Sequence, residues 1–462
     1  MAVFSPQSLL EVLQRYPGVK RYWLAFSGGL DSTVLLHALV QLKQQLLPVT
    51  LHALHIDHGL QAESAQWSAH CRQICQQYDV PFVSRKAVLS IAAGDSVEEK
   101  AREARYQLLE NYIEEGDILL TAQHEDDQAE TFLLQALRGA GPKGLAAMPE
   151  IRRFGRGRQL RPLLAFGKAE LHDYALRHGL SWVEDPSNLQ MRFQRNYLRH
   201  QIIPLVRQRW PAASDALARA ARHCAETLAL VEELAEIDVT QVQWQANTWS
   251  RSEFNRLSEA RRANLLRHLL ARSGLPMPDQ RRLRQIIVQL GQAAADRSPH
   301  IAWPGAELRC YQNRVYLMPP LPATATQQRL PWSVETVLPL PIGRLTATRG
   351  QGQGIALAAV ARGQVEVRFR QGGERCRLPG RAYSKALKTL FQEWGVPPWL
   401  RGYVPLIYVD GHLAAVAGFC QCQPFAATAT GDAWQIHWQP VPGLPDSHLV
   451  AQLSDVAKSG TL

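Results

Sequence analysis

The chain predicts an α/β fold at its N-terminus, a parallel sheet with helices on both faces, followed by a helical segment and a small α+β region. Three observations predict it. Over the first 125 residues, short apolar runs alternate with amphipathic stretches, the βαβα order that a parallel sheet requires. From Asn196 to about Gly291 the chain turns rich in Ala, Leu and Arg with helical spacing. Beyond a Pro/Thr stretch, Pro319 to Pro331 (PPLPATATQQRLP), short apolar runs are broken by Gly and Pro, which reads as short strands and turns.

Taken in order, Tyr22–Phe26 is the first strand, and Ser27-Gly28-Gly29 turns it into a helix from Asp31 to about Leu46. Val49–Ile56 is the second strand. Glu63 to Tyr78 is helical, because Trp67, Cys71, Ile74, Cys75 and Tyr78 recur at spacings of three and four on one face. Pro81–Val88 is the third strand. Ser96 and Glu99 form a capping box that opens a helix to about Glu115. Ile118–Ala122 is the fourth strand, and Asp126 opens the next helix. A Gly- and Arg-rich stretch, Arg138 to Arg161, leads into a further α/β unit ending near Val183. In the last region one helix is expected near Tyr383–Trp394. These boundaries divide the chain into residues 1–210, 211–318 and 319–440, with a weakly patterned and mobile tail at 441–462.

A length of 462 residues is compatible with this, since roughly 150 residues make a domain. Hydrophobic residues at 46% and charged residues at 20% exclude a disordered, collagen-like or coiled-coil chain. No apolar run approaches the ~18 residues that span a bilayer, and Met1–Pro17 lacks the pattern of a signal peptide. A cytoplasmic protein without a membrane partner is expected. The net charge of +10 is unevenly spread. Residues 1–137 hold 10 basic against 17 acidic side chains, a net of −7, whereas 138–210 hold 14 against 5, a net of +9. An acidic first third followed by basic segments suits one part that does chemistry and others that hold a polyanion. The seven cysteines include no Cys-x-x-Cys, so neither a zinc ribbon nor an iron–sulfur site is expected. Cys71, Cys75, Cys420 and Cys422 read as buried, reduced thiols.

Ser27-Gly28-Gly29-Leu30-Asp31-Ser32 lies between a strand and a helix N-terminus. The glycines allow a sharp turn and close approach of a ligand, and the helix offers unpaired N–H groups and a positive dipole end to an anion. Neither the Rossmann glycine fingerprint nor Gly-Lys-Ser/Thr is present. His124, Asp126 and Asp127 fall where the fourth strand gives way to a helix, an edge that faces the ligand crevice of a parallel sheet. Asp126 could simply cap that helix; Asp127 has no such explanation. Arg102 follows Glu98 and Glu99 at surface-pair spacing, whereas Arg105 has no acid at those offsets and is the better candidate to reach a phosphate. His55 and Asp57 alternate onto one strand face beside His58, without a Glu or Cys to complete a zinc set. Arg138 and Lys143 flank a Gly-rich loop suited to phosphate contact. Arg195 and Arg199 lie four apart with Asn196 between them. Arg368, Arg370, Arg375, Arg377, Arg381 and Lys385 interleave with Tyr383 and Trp394, a combination that grips phosphate and stacks bases.

The loop Ser27–Ser32 resembles the pyrophosphate loop of ATP pyrophosphatases. His55-Ile56-Asp57-His58-Gly59-Leu60, Ala101–Tyr106, Thr121–Met148, Glu184–Asn188 and Arg195–Arg199 narrow the resemblance to the tRNA(Ile)-lysidine synthetase family. The resemblance implies a Rossmann-like, adenine-nucleotide alpha-hydrolase-like catalytic domain, with the two downstream regions positioning RNA. It implies an enzyme, a carbon–nitrogen ligase that joins free L-lysine to C2 of the wobble cytidine in a CAU anticodon while ATP becomes AMP and pyrophosphate. ATP would be held by Ser27, Gly28, Gly29, Leu30, Asp31, Ser32, His55 and Ile56, with Mg2+ on Asp31 and Asp127. Asp31, Arg105, His124, Asp127 and Arg199 would be catalytic. Arg138, Lys143, Arg195, Asn196, Arg199, Arg368, Arg370, Arg375, Arg377, Arg381 and Lys385 would bind tRNA. Many members carry His-His where this chain has Gln123-His124, so only His124 is assigned. The alternatives are a related enzyme such as a 2-thiocytidine synthetase, which would want a cysteine-bound cluster, or a non-catalytic RNA-binding protein. The oligomeric state, monomer or homodimer, is left open.

Overall fold

A computed structural model of the chain describes residues 3–57, 64–87, 97–292, 299–323 and 328–440. His58, the expected cap Ser96 and the expected mobile tail lie outside the described residues. The chain divides into two compact units, Met1–Leu230 and Val231–Leu462.

In the first unit, helix α1 (Pro6–Gln14) starts at a Ser5/Ser8 capping box with Pro6 in its first turn, where a missing N–H costs nothing. There follow β1 (Arg21–Ala25), α2 (Leu30–Gln41), β2 (Thr50–Asp57), α3 (Ser64–Gln77), β3 (Phe82–Lys86), α4 (Val97–Glu110), β4 (Asp117–Leu120) and α5 (Glu125–Leu137). Next come α6 (Pro142–Leu145), β5 (Ile151–Phe154), β6 (Gly157–Leu160) and α7 (Lys168–Arg177). The strands form one sheet in the order β3-β2-β1-β4-β6-β5. All pairs are parallel except the edge pair β5–β6.

Alternation along the strands sends side chains to two covered faces. Leu24, Ala53, Ile118 and Leu120 meet Leu35, Leu36 and Leu39 of α2 on one face, while Trp23, Leu54 and Leu119 meet Leu109 of α4 and Ile113 just beyond it on the other. Each of these buried side chains stabilises by roughly 1.5–3 kcal/mol relative to exposure. The strand order reverses about β1, whose neighbours are β2 on one side and β4 on the other. The carboxyl ends of β1 and β4 therefore flank a topological switch point, where α/β sheets bind ligands. Beyond α7 lie a 3-10 turn (Pro186–Leu189), α8 (Gln194–Tyr197), a π turn (Leu198–Ile202), α9 (Ile203–Arg209) and the long α10 (Ala213–Gln241).

The second unit holds two cores. Helices α11 (Arg251–Arg256), α12 (Glu259–Arg272) and α13 (Gln280–Gln292) pack on an antiparallel sheet of β7 (Thr248–Ser250), β8 (His300–Trp303), β9 (Ala306–Tyr311) and β10 (Arg314–Met318). Trp249, Phe254, Leu269, Ile286 and Leu308 fill the space between them. Residues 211–318 are thus not helical alone. The hairpin turn is Gln312-Asn313, both at positive φ, the geometry that matches strand twist in a two-residue loop. Without a glycine there, the turn carries little signal in the sequence.

Past it, β11 (Arg329–Pro331), β12 (Leu338–Leu340), β13 (Gly343–Gln351), β14 (Ile355–Ala356), α14 (Leu357–Arg362), β15 (Val365–Arg368), β16 (Arg375–Cys376) and β17 (Lys385–Ala386) follow. Helix α15 (Leu387–Glu393), β18 (Leu406–Val409), β19 (His412–Val416), β20 (Cys420–Gln421) and β21 (Asp432–Pro440) complete the fold. A five-stranded sheet, β11-β15-β18-β19-β20, and a four-stranded one, β12-β13-β21-β14, share a core that includes Leu390, Phe391, Ile407 and Trp434. The helix expected near Tyr383–Trp394 starts four residues later, and Tyr383 sits on the preceding loop. Among the described residues no helix is long and apolar enough to cross a membrane.

Candidate active site

The phosphate loop follows β1 directly. Gly28 adopts φ +80°, and a Cβ there would lie 2.7 Å from Cys71 Sγ, so both backbone and space demand glycine. Gly29 is the N-cap of α2, leaving first-turn N–H groups for a ligand. Ser27 Oγ and Ser32 Oγ are 3.1 Å apart, and Ser32 Oγ donates to the Gly29 carbonyl at 3.0 Å. The Val183 N–H donates to the Gly28 carbonyl at 2.9 Å, which ties residues just ahead of Glu184-Asp185 to the loop. Asp31 projects from the first turn of α2. Its Oδ1 is buried without a hydrogen-bond partner, and burial pushes its carboxyl above the usual aspartate range.

His124 is the N-cap of α5 and is buried. Its Nε2 lies 3.7 Å from Asp31 Oδ2 and 3.6 Å from Asp127 Oδ2, and its Nδ1 lies 3.9 Å from Asp126 Oδ2. The structure thus brings Asp31, His124 and Asp127 together from two elements that are adjacent only in space.

Two expectations for the acids are corrected. Asp126 does not cap its own helix. It accepts the Lys168 N–H at 2.9 Å at the start of α7, accepts from Ser214 Oγ at 2.9 Å and pairs with Arg207. Burial opposes its charge, but these donors hold the carboxyl below its ordinary value. Asp127 is the residue with the capping role, its Oδ2 accepting the His124 N–H at 3.0 Å. Its Oδ1 accepts from Arg195 at 2.9 Å and from Arg199 at 3.0 Å. Burial works against ionisation here too, and His124 with the two guanidiniums more than reverses it.

Glu130, one turn on, is 1% exposed and accepts from Nε of both Arg195 and Arg199 at 2.6 Å. Arg195 and Arg199, expected to bind tRNA, are thus both engaged by acids within the unit. Both guanidiniums close on carboxylates inside the unit, because an Asp and a Glu three apart on α5 face two Arg four apart across it. Glu130 was missed as a site residue, and that matched spacing was the signal for it. Asn196 donates to the Gln190 carbonyl at 3.1 Å and so holds its own turn.

Arg105, expected to lack an acidic neighbour, lies within electrostatic reach of Asp185 and of His55. Arg102 stacks over the Tyr106 ring at 5.5 Å; the Glu98 and Glu99 side chains lie outside the described residues. His55 is buried with Nδ1 2.9 Å from the Phe26 carbonyl, and burial lowers its pKa, which keeps the ring neutral. Ile56, next along β2, is partly buried. Exposed Arg138 donates to Gln194 Oε1 at 2.9 Å, and Lys143 is exposed on α6.

In the second unit Arg368 pairs with Glu366 and lies 4.3 Å over the Tyr408 ring, and Arg370 is 4.0 Å from Glu374. Both residues, expected to bind tRNA, thus have acidic neighbours within the unit. Arg375, Arg377, Arg381 and Lys385 are exposed on the segment around Tyr383, itself 86% exposed. Arg375 closes that segment by donating to the Ser384 carbonyl at 2.6 Å, and Lys385 pairs with Glu393 at 2.9 Å. The expectation of reduced thiols throughout is also corrected, since Cys376 and Cys422 form a disulfide. Their separation of 46 residues hides the pairing from any local spacing rule.

A serine- and glycine-lined loop at a helix N-terminus, beside a carboxylate with an open oxygen, defines a nucleotide-binding domain of the pyrophosphate-loop class. Residues 4–206 match the PP-loop domain family, residues 250–316 the TilS substrate binding domain and residues 365–438 the TilS substrate C-terminal domain. The chain belongs to the tRNA(Ile)-lysidine synthase family. A relative of that name from Coxiella burnetii is 41% identical over 440 residues, covering 95% of this chain and 97% of its own. Those from Methylococcus capsulatus and Serratia proteamaculans are 40% and 39% identical, each covering 92% of this chain and 97% and 98% of their own. Of the alternatives left open by the sequence, family membership favours the ligase.

Proposed function

We propose that this chain ligates free L-lysine to C2 of the wobble cytidine of a tRNA(Ile) with a CAU anticodon, through an adenylated cytidine, with ATP converted to AMP and pyrophosphate. The observation that carries the reading is the open Oδ1 of Asp31 at the mouth of the Ser27–Ser32 loop. A buried carboxylate oxygen without a protein donor is costly unless a ligand or cation satisfies it. Mg2+ fits this donor, and Asp31 with Asp127 would hold it. Since Asp127 already accepts from two arginines, Asp31 is the principal ligand. When bound, the ion would neutralise charge developing on the phosphates.

The first-turn N–H groups of α2 with Ser27 and Ser32 grip the departing pyrophosphate. Neutral His55 and Ile56 border the adenosine, and Arg105 supplies positive charge at the crevice. The C2 oxygen of cytidine attacks the α-phosphorus, and the lysine ε-amine then attacks C2 and expels AMP. That amine must lose a proton to attack. His124, set between Asp31 and Asp127, is placed to receive it. Arg199 holds Asp127 and Glu130 in position. Exposed Arg138, Lys143, Arg375, Arg377, Arg381 and Lys385 hold the tRNA backbone. These substrates meet in the cytoplasm, where we place the reaction.

The test is incubation with ATP, labelled lysine and unmodified tRNA carrying a CAU anticodon. Label enters the tRNA, and one AMP appears for each lysine. ATP turnover without label in that tRNA overturns the reading.

A further inference from the structure

We propose that Cys376, Cys420 and Cys422, in their thiol form, are a zinc site that fastens the exposed basic segment of the C-terminal region to the sheet beneath it. The disulfide uses only two of the three sulfurs. Cys420 Sγ lies 3.8 Å from Cys376 Sγ, and all three sulfurs fall within 4.8 Å of one another. Zinc–thiolate bonds of about 2.3 Å at tetrahedral angles set sulfurs about 3.8 Å apart. The third sulfur already stands at that separation.

The backbone places them deliberately. Cys420 and Cys422 are two apart in extended chain, with Cys422 N–H donating to the Ala414 carbonyl at 2.8 Å. They therefore share a side, and Gln421 takes the other. Cys376 reaches them from β16, the strand that begins the basic segment. Cys376 and Cys422 are buried, and Cys420 is partly exposed.

Two uses of the third thiol compete. An exchange thiol needs open approach to a disulfide sulfur, but Cys420 is only partly exposed and its partners Cys376 and Cys422 are buried. Three sulfurs gathered within 4.8 Å suit a shared cation instead. Thiolate sets prefer soft or borderline ions, and a small-molecule or protein dithiol supplies the two electrons and two protons that open the Cys376–Cys422 disulfide to thiols, itself becoming a disulfide. Among the described residues no His, Asp or Glu joins the cluster. Three sulfurs thus leave a fourth position for water. Cys376 stands between Arg375 and Arg377, and the Gln423 N–H donates to the Arg377 carbonyl at 2.8 Å. An ion here pins the root of the segment that displays Arg375, Arg377, Arg381 and Tyr383.

The full chain, purified under reducing conditions, is assayed for metal and titrated with cobalt(II). About one zinc per chain is expected, together with the thiolate charge-transfer and visible bands of a tetrahedral cobalt centre. Cys420→Ser should lose both while leaving AMP formation from saturating tRNA unchanged. The Cys376→Ser, Cys422→Ser pair should lose the metal and weaken tRNA binding. The wild-type cobalt spectrum needs no variant to fold. A reduced chain that binds neither ion, or a metal content retained in the triple serine variant, overturns the site. Neither result bears on lysine incorporation, so the zinc site and the ligase reading fail separately.

Discussion

Arginines do opposite work in the two units. Arg195 and Arg199 turn inward and share Asp127 and Glu130, each guanidinium reaching both acids. Arg375, Arg377 and Arg381 lie exposed on a loop whose one large aromatic, Tyr383, is also exposed. The first arrangement shapes a crevice, because charges neutralised in place hold helices α5, α8 and the π turn in fixed relation. The second turns its charge toward the surface, where it can attract a polyanion. Excess positive charge therefore locates an RNA surface only after internal pairs are discounted. By that measure Arg195, Arg199 and Arg207 are discounted from the basic stretch 138–210.

Asp31 tests the comparison from the acidic side, since it is the carboxylate of the first unit that the closed cluster leaves open. Asp31→Asn should lower AMP formation by at least about 10³-fold, the scale of removing a preorganised charge from a phosphoryl-transfer site. Binding of tRNA measured by filter retention should hold, and thermal stability should not fall, because burial already disfavours the charge that is removed. Parallel loss of tRNA binding would mean that Asp31 also organises the RNA surface.

Glu130→Gln attacks the closed cluster itself. Two guanidiniums would keep one carboxylate between them, and breaking a buried pair costs about 3–5 kcal/mol. A denaturant titration should show a loss of that order, with C-terminal RNA contacts intact in a binding assay. A loss below about 1 kcal/mol would place these arginines on ligand rather than on Glu130.

How much of this was legible in the sequence follows from range. Ser27–Ser32 was legible because the side-chain contacts that shape the loop lie within five residues, Ser27 to Ser32 and Ser32 to Gly29, although Val183 and Cys71 also bound it from afar. The parallel sheet was legible from alternation alone. The roles of Asp126 and Asp127 were not, because Asp126 serves a helix that starts 42 residues later. The partners of Asp127 stand 68 and 72 residues away. A capping rule considers only the nearest turn and so assigned the wrong acid. Glu130 illustrates the same limit. Its pattern with Arg195 and Arg199 was visible as spacing, but the folding of α8 against α5 is what makes spacing into contact. The four-stranded sheet of the second unit was hidden for another reason, since a hairpin turned by Gln312-Asn313 lacks the glycine that usually announces it.

Asp126→Asn probes the boundary between shape and chemistry at smaller scale. The amide oxygen replaces only one of the two carboxylate oxygens, so it can keep the Lys168 N–H while its NH2 faces Ser214 and Arg207, for a cost of about 1–3 kcal/mol. The pH dependence has a definite sign. The folded carboxyl lies below its ordinary value, so its contribution is present above the unfolded aspartate value of 3.8 and lost as pH falls through the folded one. Thermal melts from pH 6 downward should therefore converge for wild type and variant at the acid end. Melts that stay parallel would assign the cost to packing instead of charge.

The smallest single effects should come from the exposed segment, and their character matters more than their size. Replacing Arg377 and Lys388 with alanine, one at a time, should weaken tRNA binding by about 1 kcal/mol each. Each should also flatten the dependence of log affinity on log salt by about one. AMP formation at saturating tRNA should be unchanged, so the defect appears in KM and not in kcat. A paired variant should be additive, because Arg377, beyond β16, and Lys388, on α15, are exposed charges on different elements. If instead kcat falls with the salt slope untouched, the segment acts on the shape of the site, and open and closed arginines would no longer be two kinds.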